Sequence, residues 1–397
     1  MYSVITKPLF RIPQKDVFGN SLDLIIYYFL LWFSFIDCLT GLFLKIGLPS
    51  IGVPYKFVLM VLMLLSMKSE KKFILIIYLL SLFSICAFVY LFQTYTDFST
   101  SLSMILKIMM YPFVFFYLND TYKNQANGSF YLERICFYNF ITIFINQILG
   151  VAGLGFSTYN DGGFGIKGFY FDGNAMAVVC FCLFVFYFSI KKNNFYAFII
   201  FLCSVLLGTK TSILAILIFY FFIAFYRAKL KTKVKLLIIF AITFGGFVYI
   251  ILFTDILSYH VEKFKKMYEL FEGRIIDVLL SGRSVDLKNH TIFYNDNFSI
   301  KQFLFGYGYR EGVKIIELDF FDTLYSYGFL YCLIILLLYI YPLYSNRKNK
   351  EIVVFNLLLL LITFTSGHVW YNTSTALFLV INNIYYGVKS EQNLLHN

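Results

Sequence analysis

The sequence predicts an all-α polytopic integral membrane protein, about twelve transmembrane helices with one large outer loop late in the chain. Three observations lead there. Hydrophobic residues make up 60% of the chain and charged ones 14%, whereas a soluble domain sits near half apolar and a quarter charged. Apolar runs recur along the whole length, many of them about 18 residues or longer, the length that crosses a bilayer as a helix. Lys and Arg gather in alternate connections between those runs, as cytoplasmic loops demand.

Taken in order, the apolar runs place spans at 23–44, 52–67, 73–92, 101–118, 135–152, 174–190, 195–209, 211–226, 236–254, 320–344, 352–366 and 372–388. The N-terminal tail, 68–72, 119–134, 191–194, 227–235, 345–351 and the C-terminal tail together hold 19 Lys and Arg residues. The opposite short connections hold only Lys45, Lys56, Lys167 and Lys210. Both termini are therefore expected in the cytoplasm. The N-terminus is basic but shows no small-residue cleavage site after its first apolar run, so no cleavable leader is expected. The region 195–226 is read as two short helices pivoting at Gly208, Thr209 and Lys210. One tilted span there would turn Arg227–Lys235 outward, against the charge rule.

The chain reads as a single transmembrane domain over 1–397 with the long loop 255–319 inserted on the outer side. Its nine basic residues do not oppose that placement, because long loops translocate regardless of charge. Within it, Val261, Phe264, Tyr268, Phe271, Ile275 and Val278 recur at helical spacing with charged residues between them. That predicts an amphipathic helix on the membrane surface or against the bundle.

The net charge of +11 is spread between spans and forms no stripe, which argues against nucleic acid as a partner. All seven cysteines lie within apolar runs, where neither a disulfide framework nor a metal site is indicated. No Walker loop, GxSxG, HExxH or CxxC pattern occurs, so no cofactor is called for.

The outer-face polar residues are the remaining candidates. Lys167 stands in a glycine-rich run, Gly165 to Ala175, ahead of a helix start near Asn174, an arrangement that suits an anion. The same run also reads as a plain turn capped by Asp172 or Asn174. Lys210 either meets a ligand or snorkels to the headgroups. Arg283, in Ser281-Gly282-Arg283-Ser284, has the fork geometry for phosphate oxygens, although a loop arginine is often merely solvated. Glu317 and Asp319, with Asp322 behind them, stand where a span begins. They suit a general base or a divalent cation, and equally a helix N-terminus that favours acids. His368 is a further titratable group beside Trp370 and Tyr371, a pairing that also fits an aromatic belt. Asp37 and Lys107 are the clearest ionisable residues inside spans and are what a transporter reading would need.

The run Lys167 to Ala175, Gly208 to Ser212, Ser281-Gly282-Arg283, Phe305-Gly306-Tyr307-Gly308-Tyr309 and Glu317-Leu318-Asp319 followed by Tyr327-Gly328 resemble, in order and spacing, the bacterial O-antigen polymerase family and the related O-antigen ligases. The resemblance implies an inner-membrane glycosyltransferase with a large periplasmic loop. It would move a growing glycan from undecaprenyl diphosphate to the next lipid-linked repeat unit, with a chain-length regulator protein as a possible partner. It implies a diphosphate contact at Arg283, carried with a change of residue to Lys167 and Lys210, and Asn174 beside them. The ligases place a His where this chain has Glu317 and Asp319, which favours a polymerase with one of these carboxylates as base. A lipid-linked sugar flippase, a ligase, and a version of the enzyme with a divalent cation on the acidic pair are the alternatives.

Overall fold

The computed structural model describes residues 21–92, 98–122, 128–158, 165–229, 232–234, 269, 274, 277, 282–308 and 315–395. They are overwhelmingly helical. The first predicted span is two helices, α1 (Ser21–Leu31) and α2 (Phe33–Lys45), bent by 55° at Trp32. Then come α3 (Gly52–Ser66), α4 (Ser69–Phe92), α5 (Phe98–Thr121) and α6 (Gly128–Val151). A two-stranded antiparallel ribbon, β1 (Phe156–Ser157) with β2 (Ile166–Gly168), precedes α7 (Gly173–Val185), whose last turn widens into a π-helix at Phe186–Ile190. Helices α8 (Asn194–Leu207) and α9 (Lys210–Arg227) are separate, with Gly208 at φ 72° making the turn between them. The late half contributes α10 (Arg283–Asp296), α11 (Ile300–Phe305), α12 (Asp319–Ser345), α13 (Lys350–Thr365) and α14 (Thr373–Leu395).

This is a multi-pass membrane protein. Among the described residues, however, five helices are by themselves long and apolar enough to cross a bilayer, or six when α1 and α2 are joined as one span. The expected count of twelve is met in part within the described residues, where α3 and α8 are shorter apolar helices. Helix α3, with 15 residues, covers about 22 Å, less than the roughly 30 Å hydrocarbon core. The expected span 236–254 lies outside the described residues. So does the expected amphipathic helix, apart from Glu269, Arg274 and Asp277, while the long loop 255–319 is described at 282–308 and 315–319.

The core is built on α7 and α14. Every side chain from Ala175 to Val185 is buried, as is each from Thr373 to Ile384. A helix that is apolar all round belongs inside a bundle, and α14 packs on both α5 and α7. Buried amides tie the helices together: Asn139 accepts the Ser34 backbone N–H at 2.7 Å, and Asn356 and Asn383 bond each other at 2.8 and 3.1 Å. With no hydrophobic drive between helices in lipid, such bonds help to hold them together.

Alternation of the helices sorts their ends into two groups. At one end Glu351 accepts from Arg227 (2.6 Å), Tyr386 (3.1 Å) and Ser189, while Glu133 accepts from Lys191 (2.6 Å) and Tyr385 (2.5 Å). These contacts clasp α6, α7, α9, α13 and α14. At the other end lie the connections 45–52, 151–158 with 165–173, 207–210, 282–308 with 315–319, and 365–373, which carry the candidate site residues.

Helix α12 is broken at Gly328, where φ is 80° and ψ 178°. The carbonyls released by the break are used: Tyr325 O accepts the Tyr307 N–H and Ser326 O that of Gly308, both at 2.8 Å. A Cβ on Gly306 would stand 2.4 Å from Ser326 O, and one on Gly328 2.4 Å from Gly306 N. Only glycines at both places let these backbones meet.

Candidate functional site

The turn after β2 is held from below by Asn146 of α6. Its carbonyl accepts the Phe169 N–H at 2.7 Å and its amide donates to Lys167 O at 2.9 Å. Gly168, at φ 60°, sits where a Cβ would strike Asn146 at 2.5 Å. The turn so fixed delivers Asp172 to the start of α7, where its Oδ1 accepts the Asn174 N–H at 2.9 Å. The other oxygen meets His368 Nδ1 at 3.1 Å, and His368 Nε2 lies 3.4 Å from the Asn174 amide. Burial works to raise the Asp172 pKa, but the His368 bond and charge, helped by backbone N–H donors, outweigh it and hold the carboxyl low. Burial likewise works to lower the His368 pKa, and Asp172, Asp319 and Glu317 outweigh it and raise it. Each partner thus favours the charged form of the other.

His368 is itself set in an unusual backbone. It has φ 65°, and Glu317 has φ 64°, a region that non-glycine residues rarely occupy and that clusters at working sites. What holds the His368 backbone is Asp319. Its carboxylate, in a side chain only 3% exposed, accepts the N–H groups of His368, Val369 and Trp370 at 2.8, 2.6 and 2.8 Å. Three successive N–H groups make an anion-holding concavity, and here it is filled from within the chain. Gly367 packs on the Glu317 carbonyl, leaving no room for a Cβ. Asp322 closes the same turn by accepting from Ile316 and Leu318 N–H at 2.9 and 3.0 Å. Glu317, by contrast, is 46% exposed and accepts from Arg283 at 2.9 Å. The oxygens of Glu317 and Asp319 therefore face donors, the surroundings of held anions and not of a shared cation.

Beside the Asp172–His368 pair opens a cavity of about 540 Å³, walled by α2, α3, the start of α5 and the 170–175 and 368–374 segments. Asp37 is its hub. It accepts from Lys56 at 2.5 Å, from Tyr170 OH at 3.0 Å and from the Ser374 hydroxyl. Lys107 of α5 also lines it, and Leu44, Val53, Phe57 and Leu106 supply apolar lining.

Of the sequence-predicted residues, the structure brings Asn174, His368 and Asp319 into one contact network, with Asp322 and the Glu317–Arg283 pair adjoining it. Lys167 lies on the same turn as Asp172, but its ammonium is exposed and donates to Phe171 O at 3.0 Å. Lys210 opens α9 at the Gly208 turn, exposed, and lines no part of the cavity. Sequence reading treated Asp172 only as a cap and Lys56 only as a loop charge, and it gave Tyr170 and Ser374 no weight. Asp37 and Lys107 carried a usable signal, an ionisable group inside an apolar run. Nothing local announced that Lys56 would reach Asp37 from the next helix.

Residues 257–389 match the family model described as O-antigen ligase like membrane protein, in agreement with the resemblance to the O-antigen polymerase and ligase group carried by the motifs. No curated protein and no solved structure matches the chain. The matched segment contains Arg283, Glu317, Asp319, Asp322 and His368, and leaves out Asp37, Lys56, Lys107 and Asp172.

Proposed function

We propose that the chain is a membrane glycosyltransferase that polymerises lipid-linked oligosaccharide repeat units, taking a polyprenyl diphosphate such as undecaprenyl diphosphate as the leaving group. The observation that carries the reading is the convergence, at one end of the bundle, of an Asp172–His368 pair, an Arg283–Glu317 pair and a lysine-bearing cavity, with His368, Arg283 and Glu317 in the segment similar to O-antigen ligase like membrane proteins.

In this reading the bond from the sugar's anomeric carbon to the diphosphate oxygen breaks as the acceptor hydroxyl oxygen bonds to that carbon. The hydroxyl proton passes to a base, and the diphosphate leaves with its charge balanced by cations. Arg283 suits the diphosphate by its fork. Of the two expected carboxylates, Glu317 is the base, because Asp319 has its oxygens committed to buried N–H groups. Asp319 then positions His368. His368, oriented by Asp172, is the second group able to take the proton, by the logic of a base held by a carboxylate. The site is expected on the periplasmic face of the inner membrane, with both termini cytoplasmic and a chain-length regulator as partner.

A second reading has its own observation. Asp37 and Lys107, ionisable groups on membrane helices, line one cavity, as a transporter of lipid-linked sugars would require. A glycan ladder from cells lacking the gene separates the two. Polymerisation predicts a single repeat unit on the lipid core and a full ladder on restoring the gene. Loss of all glycan from the core points instead to transport or ligation.

A further inference from the structure

Helix α11 lies where the long loop meets the broken span α12, and backbone bonds fix it there. The Tyr307 and Gly308 N–H groups that follow it are spent on the carbonyls of Tyr325 and Ser326, and α11 packs on both α12 and α4. Phe303 stacks on Phe329 with ring centroids 5.2 Å apart and planes 13° from parallel. Phe298 in turn meets Phe303 at 6.4 Å. Phe329 is the first of a set of exposed side chains on α12, continued by Leu333, Leu337, Ile340 and Tyr344 at three- and four-residue spacing. On a helix long and apolar enough to span, such a stripe is the face turned to lipid. The loop extends the stripe: Ile300 is 75% exposed and Phe298 57%. Exposed Asn295, Asp296 and Asn297 precede them and exposed Lys301 follows, so the apolar patch has a polar rim, the composition of a surface that meets a partner.

We propose that Phe298 and Ile300 are a membrane anchor of the long loop, set into the hydrocarbon of the leaflet at the site end of the bundle. The occupant of the patch is bilayer lipid, because the patch continues the lipid-facing stripe of α12, and hydrocarbon that stays out of water on one side gains by staying out of it on the other. Tyr307 links the anchor to α10: its hydroxyl donates to Asn297 O at 2.6 Å, just past the end of the helix that Arg283 begins. The anchor therefore ties the height of α10, and of Arg283 with it, to the bilayer surface. It lies apart from the cavity beside Asp172 and outside the run 261–278 whose spacing predicts a surface helix, and it holds whether or not the protein makes polymer.

Full-length protein carrying Ile300→Cys, with a nitroxide attached, is reconstituted in liposomes of phosphatidylcholine and phosphatidylglycerol. Collision of the label with oxygen, which concentrates in hydrocarbon, is compared with its collision with a water-soluble nickel chelate. Leu337→Cys on the lipid face and Asn295→Cys on the polar rim are the two references. Protein without an introduced cysteine, carried through the same labelling, sets the background of the native cysteines, which are buried among the described residues. The label at 300 is expected to behave like that at 337, with nickel collisions several-fold below those at 295 and oxygen collisions above them. Nickel collisions at 300 as frequent as at 295 would put the patch in water and overturn the proposal. So would weak collision with both reagents, the mark of a patch covered by another segment of this chain or by a second copy. Should the Ile300 variant fail to fold, Phe298→Cys makes the same comparison.

Discussion

Asp319 and His368 stand 49 positions apart, and the Asp319 carboxylate accepts the His368 backbone N–H at 2.8 Å. Through that bond, and those to Val369 and Trp370, the first residue of α12 fixes the loop that presents the imidazole to Asp172. In the proposed reading this bond gives Asp319 a positioning part beside the group it holds.

Asp319→Asn places an amide where three N–H groups converge. It should cost about 2–3 kcal/mol, the scale of hydrogen bonds to a charged acceptor. The checks are a lower melting temperature in detergent and loss of polymer on a glycan gel. Glu317→Gln should cut polymer formation by about a hundredfold or more, as loss of a general base does, with the melting temperature nearly unchanged.

The Asp172–His368 pair should give a defined pH window. His368 is raised in the fold, so its contribution is full below the ordinary histidine value of about 6.5 and is lost as pH rises through the raised one. Asp172 is lowered, so its contribution is present above the ordinary carboxyl value of about 3.9 and is lost as pH falls through the lowered one. The stability difference between wild type and Asp172→Asn should therefore peak between about pH 4 and 6.5 and shrink in alkali. Thermal melts across pH give the comparison, and a difference independent of pH would contradict the pair.

Asp37→Asn leaves the Lys56 ammonium without its carboxylate and should destabilise by about 3 kcal/mol, as breaking a buried pair from one side does. Asp37→Asn with Lys56→Met should recover much of that loss. Denaturation of the single and double variants measures it.

Gly328→Ala and Gly306→Ala each put a methyl group within 2.4 Å of backbone atoms at φ 80°. Each should lose about 2 kcal/mol or more from strain and overlap, seen as low membrane yield. Gly47→Ala is the control: its φ is also positive, at 77°, but nothing lies within 4 Å of the added carbon, so it should lose less.

Much of the helix order was legible because apolar runs and alternating basic loops are local features. The pivot at Gly208 was readable for the same reason, and so was the Asp172 cap, two residues from its donor partner. What stayed hidden is long-range. The Asp37 hub gathers Lys56, Tyr170 and Ser374 from three other segments, and nothing near position 37 names them. The bend at Trp32 escaped because an uninterrupted apolar run gives no sign that its helix turns by 55°. Pairing of Phe305-Gly306-Tyr307-Gly308 with Tyr327-Gly328 was hinted at by glycines, but their meeting is a property of the broken α12.

The Glu351 and Glu133 clasps lie at the far end of the bundle from the cavity. Five helices are stapled there by charge and hydroxyl contacts, whereas on the cavity side α3 presents the apolar side chains of Val53 and Phe57, 59% and 52% exposed. Mechanically the bundle resembles a peg fixed at its base. Helices α3 and α5 stand outside that clasp but are tied at the same end, where Asp23 accepts from Ser66 and from Tyr117 at 3.0 Å, so any parting of their cavity-side ends would swing them about a held base.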